Sequence, residues 1–313
     1  MVSVSIILPS YNHAPYLEQR LESIFKQTFK DWKLILIDDH STDNSLDILD
    51  RYFNKYPDKI SYFIKNEKNS GSGYKSWQKG IELSTTEFIW IAETDDFCEP
   101  NFLELAVKAL ESNRNAVLAF TASNYVDDNG EFLYDSSKRF SKLNLNKNEI
   151  QTFSGKIVTK DLPQNPLITN GSSVVFRKPK ETIPDFIFQH IQISDIFLYN
   201  YLLQDKEVIV INKYLNYFRQ HKQSTTAKNN QNINTKIYTE YCYFVNYFNS
   251  SNTKQKEIIA HYAKHCLLPN RKRNGYLNLK PLTKLEGVLW WRKMKIVIAA
   301  YVNFAIKKLK FWN

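Results

Sequence analysis

Two adjacent acidic residues, Asp95 and Asp96, follow an apolar segment. The preceding residues 87–92 read Glu-Phe-Ile-Trp-Ile-Ala, which is typical of a buried strand. Two carboxylates directly after a buried strand repel each other and lose solvation unless a cation or a polar ligand compensates them. Oxygen ligands suit Mg²⁺ or Mn²⁺, and a site with few carboxylates leaves coordination positions for a diphosphate. The pair therefore predicts a divalent metal site, with a helix cap or a solvated turn as the alternative.

A second acidic pair, Asp38 and Asp39, follows the continuously apolar residues 33–37. The carboxylate of Asp39 can accept a hydrogen bond from the N3–H group of uracil. Tyr11, just beyond the apolar residues 2–8, can stack on the base. Polar residues that merely cap the next helix are the alternative. The sequence leaves both roles open, binding of a nucleobase and capping of the next helix. Binding of a nucleobase would be the functional role.

A short Gly/Ser segment at residues 69–75 reads Asn-Ser-Gly-Ser-Gly-Tyr-Lys. Its backbone amides and Lys75 are able to hold the phosphates of a nucleotide, although such a segment before a helix is more often only a turn. No Gly-x-Gly-x-x-Gly motif follows the first predicted strand, and the chain has no Gly-x-x-x-x-Gly-Lys motif. The sequence therefore excludes an ordinary dinucleotide site and a P-loop kinase.

The polar clusters need a scaffold that brings strand ends together, and the apolar pattern predicts one. Continuous apolar runs alternate with segments of helical periodicity up to about residue 122. Predicted strands cover residues 2–8, 33–37, 60–64, 87–92 and 116–121, and predicted helices cover residues 16–25, 46–53, 74–83 and 101–111. This order predicts an α/β fold with a doubly wound, mostly parallel sheet flanked by helices, whose ligands bind at the carboxyl ends of the strands.

The alternation of strands and helices weakens in the second half of the chain. Strands are predicted at residues 173–176 and 208–211, a helix at residues 196–203, and a helical pattern from about residue 235 onward. We therefore expect a catalytic domain at residues 1–225 and a helical, basic region at residues 226–313.

Charge is distributed unevenly along the 313 residues, whose net charge is +10. Residues 254–313 hold 14 Lys and Arg residues against two acidic ones, so residues 1–253 are close to neutral. A neutral body with a basic, aromatic tail favours docking on an anionic lipid surface over binding to nucleic acid. The three cysteines lack disulfide or zinc-ligand spacing, and the N-terminus has no basic segment typical of a secretory signal. We expect a cytoplasmic protein.

The C-terminal segment has aromatic and basic residues on both sides of a short apolar stretch. Residues 290–295 read Trp-Trp-Arg-Lys-Met-Lys, residues 296–306 are uncharged, and residues 307–312 read Lys-Lys-Leu-Lys-Phe-Trp. Eleven uncharged residues are too few to span a bilayer, which takes about 20. The pattern predicts a helix that lies in the membrane interface, on the cytoplasmic face of the inner membrane. A helix packed on the catalytic domain or on a partner subunit is the alternative.

The sequence resembles the catalytic domain of glycosyltransferase family 2, which has the GT-A fold. The resemblance lies in VSIILPSYNHAPYLEQRLESIFKQTFKDWKLILIDDHSTDNS, NSGSGYKSWQKGI and FIWIAETDDFCEPNFLE. It spans about residues 3–122 and continues more loosely to about residue 225. It implies an inverting transferase that uses a nucleotide-diphospho-sugar and a divalent metal ion, Mn²⁺ or Mg²⁺.

The resemblance also implies roles for individual residues. The base-binding positions of the family match Pro9, Tyr11 and Asp39. Asp95 matches the acid near the donor ribose, and Asp96 matches the metal ligand. Glu93 replaces the first acid of the usual Asp-x-Asp-Asp form, so its own role stays open.

Inverting transfer requires a carboxylate that takes the proton of the acceptor hydroxyl. Asp195, just before the predicted helix at residues 196–203, matches the base position of the family. A cap for that helix is the alternative role for Asp195.

Two later segments resemble other parts of the family's site. The segment Asn-Gly-Ser-Ser at residues 170–173 matches the border of the acceptor site, which places Asn170 and Ser172 at the acceptor or the diphosphate. Residues 217–225 resemble a closing loop, in which Arg219 is expected to contact the diphosphate and His221 the diphosphate or the metal.

We therefore expect a metal-dependent hexosyl- or N-acetylhexosaminyltransferase. UDP is the favoured nucleotide, because of Asp39 and Tyr11, and the acceptor is a saccharide or a polyprenyl-linked saccharide in surface polysaccharide or lipopolysaccharide assembly. One alternative is a nucleotidyltransferase, which usually has a Gly-rich, basic loop where this chain has Pro-Ser-Tyr-Asn. The other is a non-catalytic, membrane-associated scaffold protein, and the intact acids argue against it.

Overall fold

The structure is a computed structural model that describes residues 2–221, 235–248, 251–267 and 278–309. The chain divides into two compact units, Met1–His221 and Lys222–Asn313. The division falls beside the domain boundary predicted at residue 225. Every residue with a predicted chemical role lies in the first unit.

The first unit combines helices with many strands. Its strands are β1 (Val4–Ser10), β2 (Trp32–Asp38), β3 (Ile60–Lys65), β4 (Phe88–Ile91), β5 (Phe97–Cys98), β6 (Ala116–Val126), β7 (Phe132–Asp135), β8 (Ile150–Ser154), β9 (Val174–Arg177) and β10 (Glu207–Arg219). Its helices are α1 (Ala14–Phe25), α2 (Ser45–Lys55), α3 (Gly73–Leu83), α4 (Phe102–Ser112), α5 (Ser137–Phe140), α6 (Gly155–Thr159) and α7 (Ser194–Leu202). Short 3₁₀ turns lie at Ser141–Leu143, Gly171–Ser173 and Asp185–Phe188.

One ten-stranded sheet runs through this unit in the order β3-β2-β1-β4-β9-β6-β10-β5, with β7 beside β6 and β8 beside β10. Strands β1 to β4 pair in parallel, and β6 pairs in parallel with β10. The other pairs, including those of β9 with β4 and β6, are antiparallel. The predicted α/β sheet flanked by helices is confirmed, and β9 joins its two parallel parts.

Apolar side chains explain why the first half of the sheet forms where it is predicted. All residues of β4 and all but one of β1 are buried, as strands covered on both faces require. Leu17, Leu21 and Ile24 of α1 are buried in the same hydrophobic core. Helix α3 approaches β1 closely at Gly80, because a Cβ there would collide with Ile7.

The second half of the sheet extends beyond its prediction. The predicted strand at residues 208–211 is the first part of β10, which continues to Arg219. Its later residues include the buried polar side chains Asn216 and Arg219, which hydrogen bonds hold in the interior instead of apolar contacts. Strands β5, β7 and β8 were not predicted, because β5 has two residues and β7 and β8 are largely exposed.

The second unit is helical in its described part, as predicted from about residue 235. Its elements are α8 (Thr235–Tyr247), α9 (Asn252–Tyr262), a π-helical turn (Ala263–Leu267), α10 (Lys280–Thr283) and α11 (Trp290–Leu309). Its core contains buried side chains of α8, α9 and α10, namely Cys242, Val245, Ile258, Ile259, Tyr262 and Leu282. Within the residues that the structure describes, no helix has the length and apolarity needed to cross a membrane. The predicted residues 310–312 lie outside this part.

Candidate active site

Loops at the carboxyl ends of β1, β2 and β4 bring most of the predicted residues to one edge of the sheet. Ser10 at the end of β1 is in register with Asp38 at the end of β2. Strand β4 is the other neighbour of β1, and just after it the N–H of Ala92 donates to the carbonyl of Ile7 at 2.8 Å. Residues 93–96 (Glu-Thr-Asp-Asp), here the acid loop, therefore lie beside the loop that follows β1.

Asp95 of the acid loop lies in a group of three potential metal ligands with His13 and His221, here the His–Asp–His group. One ligand atom from each residue lies within 4.8 Å of the others. Nε2 of His221 is 3.0 Å from Oδ2 of Asp95, and Nδ1 of His13 is 2.5 Å from Oγ1 of Thr94. The structure thus brings together two predicted ligands, Asp95 and His221, and adds His13.

The chemistry of the His–Asp–His group fits a divalent metal ion. Imidazole nitrogens and carboxylate oxygens are ligands of first-row divalent ions, and three protein ligands leave coordination positions for a diphosphate. Nδ1 of His221 is buried and has no hydrogen-bond partner among the described residues.

Burial and mutual repulsion shift the pKa values of the acid loop. Burial, together with the charges of Asp96 and Asp95, raises the pKa of Glu93 well above its ordinary value. Burial and the charge of Asp95 raise the pKa of Asp96 to about 6, against the opposing charge of Arg20. Burial would also raise the pKa of Asp95, but the hydrogen bond from His221 and the proximity of His13 outweigh it and hold that pKa below its ordinary value.

These shifts have a consequence for stability. The folded-state pKa of Asp96 lies above its value in an unfolded chain. Protonated Asp96 therefore makes a favourable contribution to the free energy of unfolding at low pH. That contribution is lost as the pH rises through about 6. Cation binding beside the acid loop favours the charged carboxylates and opposes this loss.

Asp96, the last residue of the acid loop, fixes the loop to the protein interior through hydrogen bonds of its buried carboxylate. It is 1% exposed, and its carboxylate accepts hydrogen bonds from the backbone N–H of Arg219 at 3.0 Å and from Nδ2 of Asn170 at 2.7 Å. Ser172 accepts a bond from the N–H of Glu93 at 3.1 Å. The metal contact predicted for Asp96 and the acceptor contacts predicted for Asn170 and Ser172 would require this buried network to open.

Arg219 is also part of this network. It is 2% exposed, and Nε donates to the carbonyl of Asp95 at 2.8 Å. Its two terminal nitrogens donate to the carbonyls of Asp127 and Asp128 and to the side chain of Gln19. These bonds give Arg219 a role in holding the acid loop, and the predicted diphosphate contact would require some of them to break. Residues 222–225 of the predicted closing loop lie outside the described residues.

Asp39 is buried at 4% exposure, and protein donors supply the hydrogen bonds of its carboxylate. Asn66 and Ser70 donate to Oδ1 at 2.7 and 2.9 Å. Asn69 and the hydroxyl of Ser70 donate to Oδ2 at 3.1 and 2.8 Å. A carboxylate accepts about four hydrogen bonds, so a nucleobase N–H must replace one of these donors.

The other predicted nucleotide contacts lie at the end of β1, in the loop after it and in the segment at residues 69–75. Tyr11, in the loop after β1, is 45% exposed, as a ring available for stacking must be. The carbonyl of Pro9 accepts a bond from Thr94 of the acid loop at 3.3 Å. Nζ of Lys75 donates to the carbonyl of Ser70 at 2.8 Å, which places this cation on the segment that binds Asp39.

Asp195 lies in the first turn of α7 and contacts the start of α3. The hydroxyl of Tyr74 donates to Oδ1 of Asp195 at 3.3 Å. The negative charge of Asp195 contributes to the raised pKa of Glu93, after burial and the charges of Asp96 and Asp95, so the two carboxyl groups are close enough to interact electrostatically. The cap position of α7 is Ile193. Asp195 therefore does not occupy the cap position that was the alternative to a catalytic role.

The family model described as "Glycosyl transferase family 2" matches residues 5–177, more than half of the chain. The chain belongs to glycosyl transferase family 2. This membership makes it a glycosyltransferase, in preference to the nucleotidyltransferase and scaffold alternatives.

Curated relatives match the first part of this glycosyltransferase. An uncharacterized glycosyltransferase of Methanocaldococcus jannaschii is 36% identical over 132 residues, which cover 42% of this chain and 44% of the relative. The poly(ribitol-phosphate) beta-N-acetylglucosaminyltransferase TarS of Staphylococcus aureus is 31% identical over 120 residues, which cover 38% of this chain and 20% of TarS. This glycosyltransferase spans less than half of the length of the first curated relatives that it matches.

Solved structures match nearly the whole chain. The crystal structure of S. aureus TarS residues 1–349 in complex with UDP aligns with 96% of this glycosyltransferase and 81% of that chain, at a TM-score of 0.60 and 17% identity. A mannosyltransferase of Pyrobaculum calidifontis in complex with GDP-Man and Mn²⁺ aligns with 97% and 75% of the two chains, at a TM-score of 0.50 and 15% identity. At these identities the likeness shows the fold, and it confirms the predicted GT-A fold.

Two residues of this glycosyltransferase site were missed by sequence reasoning. His13 is one, because a single histidine in a loop gives no signal of its partners. Arg20 is the other: it is fully buried, its guanidinium lies 4.9 Å from the ring centroid of Trp90, and no hydrogen bond to it exists in the described structure. Its charge opposes the raised pKa values of Glu93 and Asp96. A signal for Arg20 was available, because it lies between the apolar positions Leu17 and Leu21 of α1.

Proposed function

We propose that this glycosyltransferase is metal-dependent and inverting, and that it moves a sugar from a UDP-sugar to a hydroxyl group of a saccharide or lipid-linked saccharide. The observation that carries the proposal is the placement of three chemically different groups around the acid loop. Asp95 of the His–Asp–His group lies on the loop, Asp39 lies just after the strand that pairs with β1, and the charge of Asp195 acts on Glu93.

The proposed reaction assigns the proton to Asp195. The acceptor hydroxyl oxygen forms a bond to the anomeric carbon while the bond from that carbon to the diphosphate breaks, and the hydroxyl proton goes to the Asp195 carboxylate. His13, Asp95 and His221 would hold a divalent ion, which supplies positive charge for the departing diphosphate. Asp96, Asn170 and Arg219 keep the acid loop in place through their buried hydrogen bonds.

The chemistry of Asp39 supports UDP as the nucleotide. The Asp39 carboxylate can accept the N3–H of uracil in place of one of its protein donors, and Tyr11 in the loop after β1 provides an exposed ring for stacking. The structural neighbour TarS is described in complex with UDP and with UDP-GlcNAc, which supports a UDP-hexose or UDP-N-acetylhexosamine for this chain. Assembly of a surface polysaccharide or lipopolysaccharide is the setting that we propose.

A calorimetric titration tests the metal and the nucleotide together. The full chain is titrated with UDP, GDP and dTDP, each with Mn²⁺, with Mg²⁺ and with EDTA. We expect UDP to bind more tightly than GDP, and we expect EDTA to remove most of that binding. Tight binding of UDP in EDTA would contradict the metal dependence, and preference for GDP would contradict the base assignment.

We also propose that α11 docks on an anionic lipid surface at the cytoplasmic face of the membrane. Trp291, Lys295, Ile298 and Val302 follow a helical spacing that puts them on one side of α11, and all are exposed. Trp291 is 57% exposed, and Arg292 beside it is exposed as well. Exposed tryptophan and aliphatic side chains next to cations are typical of helices that lie in the membrane interface.

Co-sedimentation with vesicles tests the docking surface. Replacing Arg292 and Lys295 by Gln removes two cations, each worth about 1 kcal/mol at an anionic surface, so affinity for vesicles that contain phosphatidylglycerol should fall by about 30-fold. The matched control replaces the exposed Lys79 and Lys108 of the first unit by Gln, and its affinity should stay within twofold of wild type. Equal affinities of the two double variants would contradict the proposal.

A further inference from the structure

We propose that Tyr74 is a positioning residue that holds the Asp195 carboxylate in place for proton transfer. The inference rests on the proposed function, because it assumes that Asp195 takes the acceptor proton. Tyr74 is half-buried in the first turn of α3, and its hydroxyl donates to Oδ1 of Asp195 at 3.3 Å. A carboxylate on a short side chain rotates easily, so a donor on one oxygen restricts the direction of the other.

The ring of Tyr74 is itself fixed. Oγ of Ser72, which precedes α3, accepts a hydrogen bond from the N–H of Tyr74 at 3.3 Å and caps the helix there. The ring packs edge-on against Trp77, with centroids 5.0 Å apart and an interplanar angle of 77°. Trp77 is buried, and a Cβ at Gly171 would approach its ring to 2.7 Å. The indole therefore has no room to move toward Gly171, and Tyr74 rests on a rigid neighbour.

The hydroxyl of Tyr74 suits this role chemically. The charge of Asp195 contributes to the raised pKa values of Glu93 and Tyr199, so these two groups lie in its electrostatic surroundings. A neutral donor stabilises the Asp195 carboxylate without adding a positive charge that would oppose uptake of the proton. Burial and the charges of Asp195 and Glu93 raise the pKa of Tyr74 well above its ordinary value, so its hydroxyl keeps the proton that it donates.

Tyr74 also belongs to the segment that contacts the proposed nucleotide site. Ser70 donates to Asp39 through its N–H and its hydroxyl, and Lys75 donates to the carbonyl of Ser70. Residues 69–75 thus connect the Asp39 carboxylate with the Asp195 carboxylate. We expect changes at the hydroxyl of Tyr74 to affect the chemical step and to leave binding of the nucleotide unchanged.

The experiment compares Tyr74→Phe, Asp195→Asn, the double variant and Tyr62→Phe with wild type. The measured quantities are release of UDP from UDP-N-acetylglucosamine and from UDP-glucose with water as acceptor, and the dissociation constant of UDP with Mn²⁺. Tyr74→Phe should lower the rate of UDP release about tenfold to a hundredfold, as expected for loss of a hydrogen bond to a charged group, with the dissociation constant within twofold. Tyr62→Phe is the matched control, because the side chain of Tyr62 is 42% exposed on β3, and it should release UDP within twofold of wild type.

The double variant separates positioning from general damage to the fold. If Tyr74 acts through Asp195, the double variant should be no slower than Asp195→Asn, because the two losses are not additive. A slow Asp195→Asn with a Tyr74→Phe that releases UDP within twofold of wild type would overturn the role of Tyr74 and leave the proposed function intact. An Asp195→Asn that is as fast as wild type would overturn the proposed function and this inference with it.

Discussion

Replacing Asp195 by Asn is expected to lower the rate of sugar transfer by roughly 10²–10⁴-fold, the usual scale for a general base. Asparagine has nearly the same shape and can still accept a hydrogen bond from Tyr74, but it cannot take the proton of the acceptor hydroxyl. Because Asp195 lies outside the Asp39 site and the His–Asp–His group, the dissociation constant of UDP with Mn²⁺ should change by less than about twofold. Steady-state release of UDP and calorimetric binding of UDP measure the two quantities.

Asp205→Asn is the matched control for this prediction. Asp205 follows α7, is exposed, and forms an ion pair with Lys156 at the surface. Its replacement makes the same chemical change close to the same helix and should leave both quantities as in wild type, because exposed ion pairs contribute little. A loss of UDP affinity as large as the loss of rate in Asp195→Asn would make Asp195 a structural residue of α7.

Strands β1, β2 and β4 were predictable because they are buried on both faces. Strand β4 is apolar at every position and β2 at most, so a continuous apolar run marks each of them in the sequence. Strand β8 has no such mark: four of its residues are exposed, and it becomes a strand through its pairing with β10. Pairing between distant segments is a tertiary effect that local residue types do not record.

The residues of the candidate site were likewise predictable only in part. Asp39 and Asp95 were found because each follows a predicted strand, and strand ends meet at one edge of a parallel sheet. The partnership of His13 with Asp95 and His221 joins residues far apart in sequence, and only the fold brings them within 4.8 Å. Arg219 supports the acid loop by donating hydrogen bonds to backbone carbonyls. Residue types in the sequence do not indicate which carbonyls will accept such bonds.

The acid loop shows why the sequence could not divide the roles of its two adjacent acids. Residues 94 and 95 lie in a turn in which the N–H of Asp96 donates to the carbonyl of Glu93, and from this turn one carboxylate meets His221 while the other enters the protein. The structure places Asp95 beside His221 at 3.0 Å and Asp96 on Asn170 at 2.7 Å. The two acids are of the same residue type, whereas the partner of Asp95 follows β10 and the partner of Asp96 lies at the turn before β9.

This division gives the last prediction, which compares Asp95→Asn with Asp96→Asn. Asp95→Asn removes the only carboxylate of the His–Asp–His group, so affinity for Mn²⁺ should fall by about 100-fold or more, and metal-dependent binding of UDP should fall with it. Replacing a residue that supports the ligands of a metal site typically lowers metal affinity 10- to about 100-fold. Asp96→Asn should therefore lose less affinity for Mn²⁺ than Asp95→Asn. Titration of each variant with Mn²⁺, followed by UDP at saturating Mn²⁺, measures both effects.

Two further variants complete the comparison. His13→Gln and His221→Gln each remove one imidazole of the group and should weaken Mn²⁺ binding in the same direction as Asp95→Asn, because all three atoms would share one ion. A greater loss of Mn²⁺ affinity in Asp96→Asn than in Asp95→Asn would identify Asp96 as the metal ligand, as the family resemblance implies. It would also require the carboxylate of Asp96 to leave Asn170 and the N–H of Arg219 when the ion binds, so the acid loop would have to rearrange on loading.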